Sequence, residues 1–407
     1  MSKTCILLTC EYPYITGEPF LENEMQYLSD SFDEIYLFAV NASGNMKMTR
    51  KVPENVRVYT VGCLLSKMRY PVYCTKGLFC REKELPVIKK DLKGIITSLY
   101  ARGRSDVVYQ QILETIARDG LDVSDTVVYS YWFTDQAVVA WRLKKHLAAR
   151  GSKVKAVCRA HGYDLYWERN PMGFLPYQDV TLKNMDGVYP CSDNGVAYLV
   201  GKYPACAGNL HTARLGTLDH GCRETANTKT VVTCCSLYKI KRISMFARAF
   251  QAVCQKVPDC HWVCIGDGDE FEWLTQFVAE NHLEDRITLM GRLPNRDVIA
   301  YYQTHDVAFF SNVSVFEGVP VCVMEALSFG IPVVATAAGG TGELVCGENG
   351  NLLDVFIEET QLAQALEEAF SMDAALYAQK RAAARRTWEE KSSAEKNYTD
   401  WCRILLD

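Results

Sequence analysis

The chain of 407 residues contains no apolar run near 18 residues, so no transmembrane helix is expected. No strand-like segment leads into Gly-x-Gly-x-x-Gly, which excludes a dinucleotide-binding dehydrogenase. Histidine is scarce, with 7 residues, and none is spaced with cysteine as zinc ligands are. No internal repeat and no low-complexity stretch is present, so repeat architectures are excluded. Charge of either sign is not in large excess: 44 Lys+Arg against 49 Asp+Glu leave −5, which argues against nucleic-acid binding.

What is present is an ordinary globular composition with 48% hydrophobic residues, enough for two large domains. Seventeen cysteines are many, but Cys5, Cys158, Cys264 and Cys322 lie in apolar segments, and Cys234 and Cys235 are adjacent. They are expected to be reduced core residues of a cytosolic protein. TCILLTC at residues 4–10 is too short for a signal peptide and continues into EYPY without a cleavage site. A first strand is the expectation there. Charge is unevenly spread: 27 Lys+Arg against 22 acids up to Leu215, and 17 against 27 beyond it. Lys67 to Arg104 holds ten cations and three acids, with Tyr70, Tyr73, Leu78, Phe79 and Tyr100 among them. Such a segment suits a solvated helical arm or peripheral contact with an anionic membrane, and both readings stay open.

Strand and helix patterns alternate from end to end, which predicts parallel α/β sheets. EIYLFAV, VRVYTV, TVVYSYWF and KAVCRA are expected strands of a first domain. Residues 64–104 are expected to be helical. Ser192 is expected to cap a helix after GVYPC. Few core residues mark 214–226, where a hinge is expected. Ligands of such sheets bind beyond the carboxyl ends of the strands. That rule singles out the loop with Gly17 and Glu18, and the segment Arg159-Ala160-His161-Gly162-Tyr163-Asp164.

The densest signal runs from Asn312 to Val345, NVSVFEGVPVCVMEALSFGIPVVATAAGGTGELV. Gly318 and Pro320 suit a turn entering a helix, VCVMEALSFG reads as a buried helix closed by Gly330, and IPVVATA reads as a buried strand. Gly339 and Gly340 make the next turn, and Glu343 opens another helix. Glu317 therefore precedes a helix N-terminus, and Glu325 projects two turns along it. The free N–H groups of such a terminus suit a phosphate, and a carboxylate on either side suits sugar and ribose hydroxyls.

This run resembles the donor-site motif of glycosyltransferase family 4, retaining enzymes of the GT-B fold. The opening segment, from TCILLTC through EIYLFAV, also resembles the start of bacterial enzymes that build surface polysaccharides. The resemblance implies two Rossmann-like domains facing across a deep cleft. The N-terminal, acceptor-side domain would span 1–215 and the donor-binding domain 216–390, with 391–407 crossing back to pack on the first. It implies that Glu317 holds the donor sugar, Glu325 the ribose, and the backbone from Gly318 and Val319 through Pro320, Val321 and Cys322 the diphosphate. His161 would lie beside the sugar, Met290 and Gly291 beside the base, and Gly17 at the active-site border. Glu18, Arg159 and Asp164 are acceptor-side candidates. The family carries an arginine and a lysine, five apart, at the diphosphate. Here the lysine is Lys241, Ser236 stands at the arginine's place, and Lys239 or Arg242 are possible substitutes. Asp267-Gly268-Asp269 imitates a metal-binding Asp-x-Asp, but a glycine turn with helix-capping acids is the expectation.

The expected activity is transfer of a hexose from a UDP- or GDP-linked donor, without metal or other cofactor. The acceptor would be a lipid-linked oligosaccharide or a polysaccharide, at the cytoplasmic face of the membrane. Two alternatives are a non-catalytic nucleotide-sugar-binding subunit, which Ser236 favours, and another GT-B enzyme of phosphorylase or epimerase type. A phosphorylase of the glycogen type would need a pyridoxal-phosphate lysine, and no signature of one is visible.

Overall fold

The computed structural model describes residues 3–15, 17–63, 68–89, 91–170, 172–222, 225 and 227–407. The chain divides into two compact units, Met1–Arg214 with Tyr398–Asp407, and Leu215–Asn397.

The first unit runs β1 (Thr4–Thr9), α1 (Phe20–Ser31), β2 (Glu34–Ala39), β3 (Val56–Thr60), α2 (Arg69–Phe79) and α3 (Leu92–Asp119). It continues with β4 (Asp125–Ser130), α4 (Asp135–Ala148), β5 (Lys153–Ala160), α5 (Gln178–Asn184), β6 (Gly187–Pro190) and α6 (Asp193–Lys202). The sheet order is β3-β2-β1-β4-β5-β6, every pair parallel. Both faces are covered, so β1 is buried at all its positions, as its unbroken apolar run requires. Ser192 caps α6 by accepting from the Gly195 amide, as expected. The expected helices of 64–104 are α2 and α3, α3 extending to Asp119. Asp91 caps α3, and Gly120 closes it in the left-handed region. Residues 64–67 and 90 of that stretch lie outside the described residues, as do 223, 224 and 226 of the expected hinge.

The second unit runs β7 (Thr230–Cys234), α7 (Ile243–Cys254), β8 (His261–Ile265), α8 (Phe271–Glu280), β9 (Ile287–Gly291), α9 (Asn295–Thr304) and β10 (Phe309–Asn312). Then come α10 (Val321–Ser328), β11 (Val333–Thr336), α11 (Thr341–Leu344), β12 (Gly350–Leu353), α12 (Glu359–Phe370) and α13 (Ala374–Lys391). The parallel order is β12-β11-β10-β7-β8-β9. Its core centres on α7, where Phe246 and Phe250 pack on Trp262 with ring centroids 4.7 and 5.8 Å apart. The last helix, α14 (Ala394–Leu406), begins in the second unit and ends in the first.

In each sheet the connections change direction beside the first strand of the unit. In the second unit the loops leaving β7 and β10 diverge from adjacent strands, which opens the crevice where α/β sheets hold ligands.

All 17 cysteines are free thiols, most of them buried or half-buried. Among the described residues no helix is long and apolar enough to cross a membrane.

Candidate donor site and the loops of the first sheet

Two loops meet at the β7–β10 crevice. One leaves β7 and carries Lys241; the other leaves β10 and carries Glu317. The Lys241 ammonium lies 2.5 Å from the Glu317 carboxylate, and both side chains are more than four-fifths buried. Burial opposes the lysine's charge, but the Glu317 carboxylate outweighs it and holds the pKa above the ordinary range. Asn312, the last residue of β10, donates to the same Glu317 oxygen at 3.2 Å. Glu317 is thus aimed by two donors.

The loop around it is held by backbone contacts. A Cβ on Gly339 would lie 1.9 Å from the Glu317 carbonyl oxygen, and the Gly339 φ is +54°. The Gly340 amide donates to the Gly318 carbonyl at 2.8 Å. The Gly-Gly turn is therefore a physical requirement of the Glu317 loop. Arg242 is spent in the same way: it donates to the carbonyls of Val313, Ser314 and Val355. It stitches the loops together, so its guanidinium is already engaged with the fold. Ser236 and Lys239 are exposed at the crevice loop.

Pro320 precedes α10, whose first turn has no side-chain cap. Among the described residues the amides of Val321 and Cys322 have no backbone acceptor. Those N–H groups and the helix dipole favour an anion. Gly318 and Val319 are half-buried beside them. Glu325, on the same helix, is 9% exposed and accepts from Asn295 Nδ2 at 2.7 Å. Burial pushes its pKa up to about 7, against the pull of that hydrogen bond. Met290 and Gly291 end β9 half-buried, and the Gly291 carbonyl accepts from the Gly266 amide at 2.8 Å.

The Asp267-Gly268-Asp269 acids do not cap α8. Asp267 accepts from the Gly268 amide inside the turn, and α8 starts after Glu270 without a side-chain cap. Among the described residues no three His, Cys, Asp or Glu side chains converge as a metal set.

In the first unit, His161 follows β5 and packs between Tyr131 and Trp132, its ring centroid 4.6 and 4.9 Å from theirs. Nε2 lies 3.0 Å from the Tyr131 carbonyl, so it carries the proton. Nδ1 is then a buried acceptor, and it has no partner among the described residues. Burial and the Arg159 charge drive the ring's pKa down to about 3, so the imidazole is neutral across the physiological range.

The three acceptor-side candidates are committed to the fold. Glu18 accepts from the amides of Cys10, Glu11 and Tyr12 and from the Trp132 indole. Asp164 is fully buried and accepts from the amides of Phe133, His161 and Gly162, which fixes the His161 loop. Arg159 is fully buried, donates to the Ala213 carbonyl, lies 3.7 Å from Glu24 and stacks on Trp401. Glu18 and Asp164 are thus engaged by amides of the fold, while Arg159 keeps Nε and Nη2 buried without a hydrogen-bond partner among the described residues. Gly17, expected at the donor, belongs to the first unit. Its carbonyl accepts from Arg50, and its Cα faces the Glu11 carboxylate.

Asn312 and Asn295 went unmarked in the sequence. Asn312 was within reach of reasoning, because it ends a strand five residues before Glu317. Asn295 was not, because only the fold brings α9 to α10.

Residues 228–371 match the family described as glycosyl transferases group 1. An uncharacterized glycosyltransferase of Haemophilus influenzae is 30% identical over 128 residues, 31% of this chain and 35% of that protein. The N-acetyl-α-D-glucosaminyl L-malate synthase of Bacillus anthracis is 29% identical over 128 residues, 31% of this chain and 32% of that protein. The aligned part thus spans about a third of these relatives. Among solved structures, a mutant of S. aureus TarM, determined with UDP, α-GlcNAc-glycerol and fondaparinux, superposes with a TM-score of 0.69 over the whole of both chains at 12% identity. The sucrose-phosphate synthase of Thermosynechococcus elongatus superposes with a TM-score of 0.72 over 99% of this chain and 98% of that one at 14% identity, and two parallel α/β units with these neighbours make the fold GT-B.

Proposed function

We propose that this chain is a retaining glycosyltransferase that moves a hexose from a UDP- or GDP-linked donor to a lipid-linked oligosaccharide or polysaccharide acceptor. The second unit takes the donor and the first the acceptor. The observation that carries this reading is the stretch 312–325. One uncapped helix start stands between two buried carboxylates, and Lys241 bonds to one of them.

Cleavage of the anomeric C–O bond puts negative charge on the departing diphosphate. Lys241 and the Val321 and Cys322 amides supply preorganised positive charge there, which is where electrostatic catalysis acts. With that charge in place, no metal is required by the scheme. Glu317 holds sugar hydroxyls and fixes their orientation. Donor entry must then share Lys241 between the carboxylate and the diphosphate. Glu325 receives ribose hydroxyls, and Met290 and Gly291 border the base. His161 offers Nδ1 as a neutral acceptor to a sugar or acceptor hydroxyl. Retention follows from the family resemblance. A double-displacement route needs a second close carboxylate, and the acids nearest His161 are engaged with backbone amides.

Thermal stability measured against a panel of nucleotides and nucleotide sugars tests the donor site. A ligand at 100 times its Kd adds ~2.7 kcal/mol. A rise with UDP or GDP that Glu325→Ala abolishes is the expected result; no shift with any nucleotide sinks the reading. Lys241→Ala is expected to lower kcat by ~100-fold or more. Ser236 favours a second reading, a binding subunit without catalysis. Nucleotide stabilisation with no transfer or donor hydrolysis would establish that one instead.

A further inference from the structure

The first unit carries a helix whose larger apolar side chains face away from the protein. We propose that the outward face of α2 docks this chain on an anionic lipid surface.

The inversion has a steric cause. A Cβ on Gly77 would lie 2.1 Å from the Leu99 carbonyl oxygen, and one on Gly103 would lie 1.9 Å from the Tyr73 carbonyl oxygen. Helices α2 and α3 therefore touch backbone to backbone, and α2 buries only Tyr73 and Gly77. Met68, Pro71, Thr75 and Phe79 recur at helical spacing on the other side, with Leu78 beside Phe79. Phe79 is 78% exposed, Leu78 66% and Met68 61%. Ordinary soluble helices turn such residues inward.

The charges around this face say what covers it. Among the described residues, Lys76, Arg81 and Lys83 have no carboxylate partner, and Arg69 stacks on the exposed Tyr70. The acids of the same segment are used elsewhere: Glu84 pairs with Lys145 at 2.6 Å, Glu82 approaches Arg142, and Asp91 caps α3. Near α2 the acids are thus engaged with the rest of the unit, while Lys76, Arg81 and Lys83 are not; farther along, Arg104 pairs with Asp135 and Arg102 donates to the Cys80 carbonyl. An amphipathic helix with aromatic and aliphatic side chains outward and cations beside them fits the headgroup region of an anionic bilayer. Eleven residues are too few to span it, so α2 would lie in the interface.

The test is co-sedimentation of the full chain with phosphatidylcholine vesicles, with and without phosphatidylglycerol. The wild type is expected to bind only the phosphatidylglycerol vesicles, and less as salt rises. Leu78→Ser with Phe79→Ser should weaken binding by roughly tenfold or more. Lys76→Glu with Arg81→Glu should do at least as much. Unchanged melting temperature and nucleotide stabilisation of both variants show an intact fold. They also separate this proposal from the transferase reading, since either can fail alone. No sedimentation of the wild type with phosphatidylglycerol vesicles, or equal sedimentation of the variants, overturns the proposal. So does a dimer that the Leu78/Phe79 substitutions dissociate, because a second copy would then be what covers the face.

Discussion

Glu325 keeps a carboxyl with a pKa near 7 inside a site proposed to bind ribose hydroxyls. The folded chain holds that proton more tightly than the unfolded chain, whose carboxyl titrates near the ordinary 4.5. Stability contributed below 4.5 is therefore lost as pH rises through about 7, and Glu325→Gln should flatten that slope in denaturation at several pH values. Hydroxyl donors prefer the ionised form, so nucleotide affinity should climb through the same window. Asn295→Ala should move the midpoint upward, because its hydrogen bond supports the carboxylate; an unmoved midpoint would remove Asn295 from the site. His161 has the opposite sign. Its ring stays neutral down to about pH 3, while the unfolded chain protonates near 6.5. Stability is lost as pH falls below 6.5, and the pH profile of kcat/KM should show no limb from this ring near 6.5. An imidazole NMR titration near 6.5 would contradict the burial described above.

At the scale of elements, the Glu317 loop depends on the turn that crosses it. Gly339→Ala must displace the Glu317 carbonyl and adopt a positive φ as well. A loss of about 2 kcal/mol or more in stability is expected. Donor KM should rise further than this loss explains, because Glu317 and Gly318 move with the loop. Equal donor affinity in the variant would mean that the loop tolerates the shift. The glycine pair was legible in the sequence as a turn; the identity of what it presses against was not. The basic segment behaved similarly. Its composition marked residues 67–104, and only the close approach at Gly77 and Gly103 showed which side of α2 is left outward.

At the scale of the molecule, the first unit is completed by residues from the far end of the chain. Trp401 is fully buried, stacks on Arg159 at 4.4 Å and packs on Tyr129 and Tyr189. Trp401→Ala should cost about 4 kcal/mol and leave Arg159 and Glu24 short of cover. The second unit should keep its nucleotide stabilisation in that variant. Loss of nucleotide binding along with the first unit's melting transition would show that the units do not fold independently.

The order of strands and helices, the parallel α/β class, and the helix with one glutamate before it and one on it were determined by local sequence, because periodicity, turn residues and helix ends act over a few positions. His161 and Lys241 were also found there, at strand ends and loops of a recognisable run. What tertiary structure alone decided was the use of each polar side chain. Arg159, Asp164 and Glu18 look no different in sequence from ligand-binding residues, yet in the fold Asp164 and Glu18 are taken up by amides and Arg159 is bonded to the Ala213 carbonyl. Arg242, beside Lys241 in the loop after β7, is consumed in the same way. Some partners are near in sequence, as the Tyr12 amide is to Glu18, but the Trp132 indole on Glu18, the Phe133 amide on Asp164 and the Ala213 carbonyl on Arg159 lie tens of residues away, and no local pattern encodes those distances.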